Sequence, residues 1–154
     1  ALVYCVDNGA DFVNCSYGSY GYSQGEQNIM TAAFEDGCLI IAAAGNDNTT
    51  QRHYPAAYEH VLCVAASANS DNRASFTNYG DWIDITAPGV SIYSTWDHDD
   101  YENLQGTSMA SPVCTGVATP GPSSAFCTST TLPSSNPPRS TSSRAKRRAS
   151  LPTR

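Results

Sequence analysis

The residues best suited to chemistry stand in one short run, Gly106-Thr107-Ser108-Met109-Ala110-Ser111-Pro112. Small residues lead here into a helix predicted to begin beside them. A serine just past a glycine, at a loop-to-helix junction, presents its hydroxyl to a cleft rather than to a core. The N–H groups at such a helix start favour nearby negative charge, which an acyl-transfer oxyanion would supply. Taken alone, Thr107 or Ser108 would serve equally well as a plain N-cap.

Four blocks, in one order, decide between those readings. The heptapeptide resembles the nucleophile segment of subtilisin-like serine proteases, the subtilases. Ala42-Ala43-Ala44-Gly45-Asn46 is similar to the family's buried strand ending in an asparagine. Asn78-Tyr79-Gly80 and Ile83-Asp84-Ile85-Thr86-Ala87-Pro88-Gly89-Val90 resemble the connector between the two, and Val13-Asn14-Cys15-Ser16-Tyr17-Gly18-Ser19 resembles the strand lining the substrate cleft. The blocks span roughly residues 1–118, with a leaning toward the proteinase-K-like and thermitase-like members. The resemblance implies that Ser108 is the nucleophile and that Asn46 donates to the oxyanion together with the Ser108 backbone N–H. It implies that Ser16, Tyr17 and Gly18 offer an edge for an extended peptide, and that Ala43, Ala44 and Gly45 form a wall of the primary pocket. His53 falls near where the family closes the floor of that pocket.

The family's triad runs aspartate, histidine, serine along the chain, and the first two motifs are not found here. Asp7-Asn8-Gly9 superficially resembles the aspartate turn, but Ala10-Asp11-Phe12-Val13-Asn14 follows at once and leaves no room for a histidine motif. Asp7 is therefore read as the end of a surface helix stopped by Gly9. His53, His60 and His98 lie in loops or turns outside a His-Gly-Thr setting and are expected at the surface. The turn Asp97-His98-Asp99-Asp100 lacks the spacing of a cation site. No cofactor or metal is expected, structural calcium being a family property without a motif here.

Charge divides the chain. Its 154 residues carry a formal net charge of −6. All fourteen acidic residues lie between Asp7 and Glu102, opposed there by Arg52 and Arg73 alone. From Pro120 onward there is no acid, and Arg139, Arg144, Lys146, Arg147, Arg148 and Arg154 stand among Ser, Thr and Pro. That composition buries too little apolar surface to offset chain entropy. Residues 1–119 are thus expected to be a partial catalytic domain and 120–154 a disordered tail. The class of composition changes at Thr119-Pro120-Gly121-Pro122, and Val113 stands where the family usually has histidine, a pattern that points to a frame change or a misplaced exon boundary. The acidic body argues against nucleic-acid binding through the tail.

Continuous apolar runs at Leu39–Ala44 and Val61–Ala66 predict strands covered on both faces. Shorter strands are expected at 11–16, 83–85 and 91–94, and a helix end at 1–8. Gln24–Asp36, with Ile29, Met30, Ala32, Ala33 and Phe34, predicts an amphipathic helix closed by Gly37. Strand–helix–strand alternation gives an α/β, doubly wound, mostly parallel sheet that lacks its first strands. Cys5, Cys15, Cys38 and Cys63 are expected as free core thiols, with no intact disulfide framework. The run from Cys38 to Ala44 is too short to span a membrane, and neither a membrane span nor a signal peptide is expected in these residues.

Two functional readings stand side by side. In one, the chain is the C-terminal half of a secreted, extracellular serine endopeptidase acting on protein or peptide substrates, monomeric if folded. In the other, it is an inactive fragment or pseudoenzyme that at most binds extended peptides.

Overall fold

The computed structural model describes residues 1–119 and the backbone of 126–128. Helix α1 (Leu2–Asp7) leads into strand β1 (Phe12–Cys15), helix α2 (Gln24–Glu35) and strand β2 (Leu39–Ala43). Strands β3 (Val61–Ser67) and β4 (Ile85–Pro88) follow, then β5 (Ile92–Thr95), β6 (Tyr101–Leu104) and helix α3 (Thr107–Ala118). Strand β7 (Phe126–Thr128) completes the described residues.

The main sheet is parallel throughout, in the order β4-β3-β2-β1-β7, while β5 and β6 form a separate antiparallel pair. Alternation along the strands sorts their side chains onto two faces. Ile40, Ala42 and Ala44 join Val13, Cys15, Cys63 and Ala65 under α1 and α2, where Cys5, Val6, Met30 and Ala33 meet them. Ile41, Val64, Ala66 and Ala87 face the other way, against Ala110 and Cys114 of α3. Helices on both faces of a parallel sheet are the doubly wound α/β architecture expected from the apolar runs. Each fully buried Ile or Val of β2 and β3 adds roughly 1.5–3 kcal/mol.

Helix α2 begins at Ser23, whose hydroxyl accepts from the Glu26 N–H at 3.4 Å, with Glu26 favourably placed in the first turn. Buried Gln27 ties this helix to the loop before β3: Glu59 N–H donates to its Oε1 at 3.0 Å, and its Nε2 donates to the Glu59 carbonyl at 3.3 Å. Of the apolar residues expected to pack from α2, Met30 and Ala33 are buried, whereas Ile29 and Phe34 are exposed.

Several expectations are corrected. The strand placed at 83–85 runs instead over Ile85–Pro88, since Asp84 spends its carboxylate on the Cys63 N–H at 2.8 Å. Strand β6 was not foreseen, because Tyr101-Glu102-Asn103-Leu104 carries no apolar alternation. Cys5 is disulfide-bonded rather than free, while Cys15, Cys63 and Cys114 are free and buried, and Cys38 is buried with them. The segment from residue 120, expected to be without secondary structure, lies mostly outside the described residues. Within it, Phe126–Thr128 pairs in parallel with β1, Thr128 opposite Asn14.

Candidate active site

Parallel strands end together, and the space beyond their carboxyl ends is where open α/β sheets place ligands. Strand β1 runs out into Ser16-Tyr17-Gly18, β2 into Ala44-Gly45-Asn46, and the first turn of α3 comes down beside both. Three stretches far apart in sequence meet there.

Thr107 is the clamp between two of them. Fully buried, its Oγ1 accepts from the Gly45 N–H at 3.1 Å and donates to Asn46 Oδ1 at 3.0 Å. Its backbone N–H donates to the same Oδ1 at 2.9 Å. A backbone N–H can only donate, so it fixes which end of the Asn46 amide is oxygen. The Nδ2 end is left to point elsewhere, and Gly106 shows where. A Cβ placed on Gly106 would stand 3.6 Å from Asn46 Nδ2 and 3.7 Å from the Ser108 nitrogen. Both donors therefore border one small space, which stays open because residue 106 has no side chain. Gly106 also holds φ +151°, a conformation that L side chains rarely adopt.

The third stretch is bound to α3 through Pro112. A proline inside a helix has no N–H for the carbonyl four residues earlier, here that of Ser108. The freed Ser108 carbonyl accepts instead from Ser16 Oγ at 3.0 Å. Ser16 Oγ in turn accepts from Asn14 Nδ2 at 2.9 Å. Asn14 Oδ1 takes the Ser111 hydroxyl at 2.6 Å and the Thr115 hydroxyl at 3.3 Å. A buried polar residue in the middle of strand β1 is thus fully used, stitching the strand to one face of α3. The Ser108 hydroxyl itself lies 3.4 Å from the Ser16 carbonyl, a long contact that leaves it available.

The Ala43–Gly45 wall is held from behind by Asn78, which is fully buried. Its Nδ2 donates to the Ala44 carbonyl at 2.9 Å, and its Oδ1 accepts from Asp47 N–H at 2.9 Å and Thr49 N–H at 3.3 Å. Ala43 and Ala44 are buried. Tyr17 and Gly18 are exposed along the edge of the cleft.

The three histidines part company. His98 is at the surface beside Asp97, at 3.0 Å, and His60 stacks on Phe34 with ring centroids 4.5 Å apart. His53 is not the surface residue expected from its polar surroundings. It is half-buried, with Nδ1 shut off from solvent and without a hydrogen-bond partner. Burial holds its pKa below the ordinary 6.5, against opposing contributions from the Ala43 backbone and Asp47. A buried ring nitrogen left unpaired costs roughly 1–3 kcal/mol. None of the three hydrogen-bonds Ser108 among the described residues.

The sequence-predicted residues Ser108, Asn46, Ser16, Tyr17, Gly18, Ala43, Ala44 and Gly45 lie together at one end of the sheet. Sequence reasoning missed the roles of Thr107, Asn14, Ser111, Thr115 and Asn78. Asn14 and Asn78 carried a signal: each is an amide set among apolar or small residues, where an unpaired polar group would be costly. Among the described residues, no group of His, Cys, Asp and Glu side chains is arranged to hold a metal ion.

A serine at a helix start, beside an asparagine amide beyond the ends of a parallel sheet, is an arrangement that acyl-transfer chemistry could use. The chain belongs to the subtilase family, whose model matches residues 1–120. It is similar to a thermophilic serine proteinase of Bacillus sp. strain AK1, at 42% identity over 118 residues, 77% of this chain and 29% of that protein. It is also similar to the halolysin-like extracellular serine protease Nep of Natrialba magadii, at 43% identity over 118 residues, 77% of this chain and 22% of that one. Among solved structures, the prenylagaramide maturation protease PagA matches with TM-score 0.72 and 32% identity, over 76% of this chain and 45% of that chain. The chain spans less than half the length of each of these relatives. No described helix is long and apolar enough to cross a membrane.

Proposed function

We propose that this chain is the nucleophile-bearing part of a secreted serine endopeptidase, and that by itself it binds extended peptides without cleaving them. One observation carries the reading: Asn46 Nδ2 and the Ser108 N–H border one space beside Gly106. A peptide lying along Ser16–Gly18 would put its carbonyl oxygen there. Ser108 Oγ would attack the carbonyl carbon as the carbonyl π pair moves onto oxygen. The resulting oxyanion would be met by the two donors and by the positive end of α3. The hydroxyl proton would pass to a general base and then to the departing amine. None of the three histidines is placed to take it, and an unassisted serine is a poor nucleophile at neutral pH. Substrates are proteins or peptides, the site of action is extracellular, and no cofactor or metal takes part. The folded chain is a monomer that binds neither nucleic acid nor membrane. The extracellular assignment is supported by the similarity to the Natrialba magadii protein, a halolysin-like extracellular serine protease.

The test is hydrolysis and fluorophosphonate labelling in two settings. The purified 154-residue chain should do neither. Fused behind the aspartate- and histidine-bearing part of a subtilase, it should hydrolyse peptides and lose that activity on Ser108→Ala. Hydrolysis that survives Ser108→Ala would overturn the assignment of the nucleophile. Cleavage by the unfused chain would reveal a base among its own residues.

A further inference from the structure

We propose that the chain's own basic run, Arg144-Ala145-Lys146-Arg147-Arg148, docks on the open face of the β5–β6 hairpin. Its guanidinium groups lie over the Tyr93 and Tyr101 rings, and its charges meet Asp97, Asp99, Asp100 and Glu102. This docking is independent of the peptidase reading above.

Strands β5 and β6 pair with each other, apart from the main sheet. A ribbon of two strands is marginal in water unless a face packs on something. Ile92 and Leu104, opposite one another, are half-buried and mark the inner face. Tyr93 stands opposite Asn103 and Thr95 opposite Tyr101, so these four share the outer face, and all are exposed. The Tyr93 and Tyr101 rings meet across the diagonal, 23° from parallel with centroids 5.5 Å apart. Tyr93 is 66% exposed, Tyr101 54%, and Trp96, just past the end of β5, 53%. Three large aromatic side chains open to solvent on one hairpin make a patch of the kind that a partner covers.

Charge selects the occupant. Four of the fourteen acidic residues fall between positions 97 and 102, and all four are exposed. Among the described residues their one ion pair joins Asp97 to His98, at 3.0 Å. Arg73 is engaged elsewhere, with Asn48 and with the face of Tyr79, 4.2 Å from the ring centroid. That contact shows the chain already setting an arginine over a tyrosine. Four of the six bases after Pro120 lie at positions 144–148, with no acid among them. Laid along the hairpin as an extended segment, Arg144, Lys146 and Arg148 would fall on one side, roughly 7 Å apart. Planar guanidinium groups suit the tyrosine faces. Reach is no obstacle. Some 25 residues separate Thr119 from Arg144 and extend to about 80 Å at full stretch, far beyond a body whose radius of gyration is about 13 Å. Each surface ion pair is weak by itself. A tethered segment is present at an effective concentration on the order of 1 mM, so its charges and rings act together.

Lys146 is the sole lysine of the chain, and a specific test follows from it. A water-soluble carbodiimide joins an amine to a carboxylate in contact with it, and tandem mass spectrometry of the monomer band finds the partner. In the 154-residue chain at low salt, Lys146 should be joined chiefly to acidic residues 97–102. Raising NaCl from ~0.02 M to ~1 M, where the Debye length is ~3 Å, should cut the yield ~5-fold or more. Tyr93→Ser combined with Tyr101→Ser leaves every acid in place and should cut it about 2–5-fold. Far-UV circular dichroism identifies the variants that fold. Joining of Lys146 mainly to other acidic residues, an even spread over all fourteen, or no joining at all would overturn the docking. So would links confined to a dimer band, which place the run on a second molecule. An undiminished yield in the folded tyrosine variant would overturn the placement on the aromatic face.

Discussion

Replacing Thr107 by valine removes one hydroxyl while keeping the shape of the side chain. In the structure that hydroxyl accepts from the Gly45 N–H and donates to Asn46 Oδ1, in a site closed to solvent. Asn46 keeps its bond from the Thr107 N–H, so its loss is partial. Gly45 loses its acceptor outright, and a buried N–H left unpaired costs roughly 1–3 kcal/mol. With an unfolding entropy of ~2.1 cal/mol/K per residue, a folded body of about this size loses roughly 4 °C in Tm for each kcal/mol. Thr107→Val should therefore lower Tm by about 4–12 °C in a thermal melt followed by circular dichroism. Thr107→Ser, which keeps the hydroxyl and loses only a methyl group, should cost clearly less. Equal destabilisation by both variants would show that packing rather than the hydrogen bond governs the site. An unchanged Tm for Thr107→Val would remove the clamp from the account altogether.

Other outcomes follow from the same geometry. Asn14→Ala strands the Ser111 hydroxyl, while Thr115 keeps its bond to the Ser111 carbonyl at 2.8 Å, and should cost roughly 1–3 kcal/mol in urea unfolding; Ser111→Ala, which removes one partner of a still-bonded amide, should cost less. His53 has its pKa depressed in the fold, so the unfolded chain takes up the proton first as pH falls. Its contribution to stability is complete above about pH 6.5 and is lost as pH drops from there toward the folded pKa. Tm measured from pH 7.5 to pH 5 should decline accordingly, and His53→Gln should flatten the decline. Burial pushes the Cys15 thiol up to about 11, so it stays protonated at pH 8. Mass-spectrometric mapping after iodoacetamide should find Cys15 unmodified in the native chain and modified in denaturant.

Much of the architecture was legible in the chain itself. Ile40, Ile41, Val64 and their neighbours form continuous apolar runs, and only a strand covered on both faces needs such runs. Ser23 and Gly37 bracket α2 by local chemistry, whereas Pro112 sits inside α3, where its missing N–H frees the Ser108 carbonyl for Ser16. The small residues around Ser108 and Asn46 could be matched to a family pattern because backbones must approach closely at that point. Local alternation announced nothing about β6, a mostly exposed strand that pairs with its neighbour β5, or about the shift of β4, whose partner β3 lies farther back in the chain. The face that α2 buries was legible at Met30 and Ala33 but not at Ile29 and Phe34, because the position of α1 beside it is a tertiary fact. The same holds within the site. Residue types named Asn46 and Ser108, but that the two donors border one space depends on Thr107 holding an asparagine 61 residues away. Nor could any local rule place His53. A histidine beside arginine, tyrosine and proline reads as surface loop, and only the folded chain brings its ring against Gly18 and Gly45. Hydrophobic burial and backbone propensity act on near neighbours and a general core, so they are written in the sequence; the pairing of individual polar groups needs atoms within about 3 Å of each other, and only the folded chain brings those atoms together.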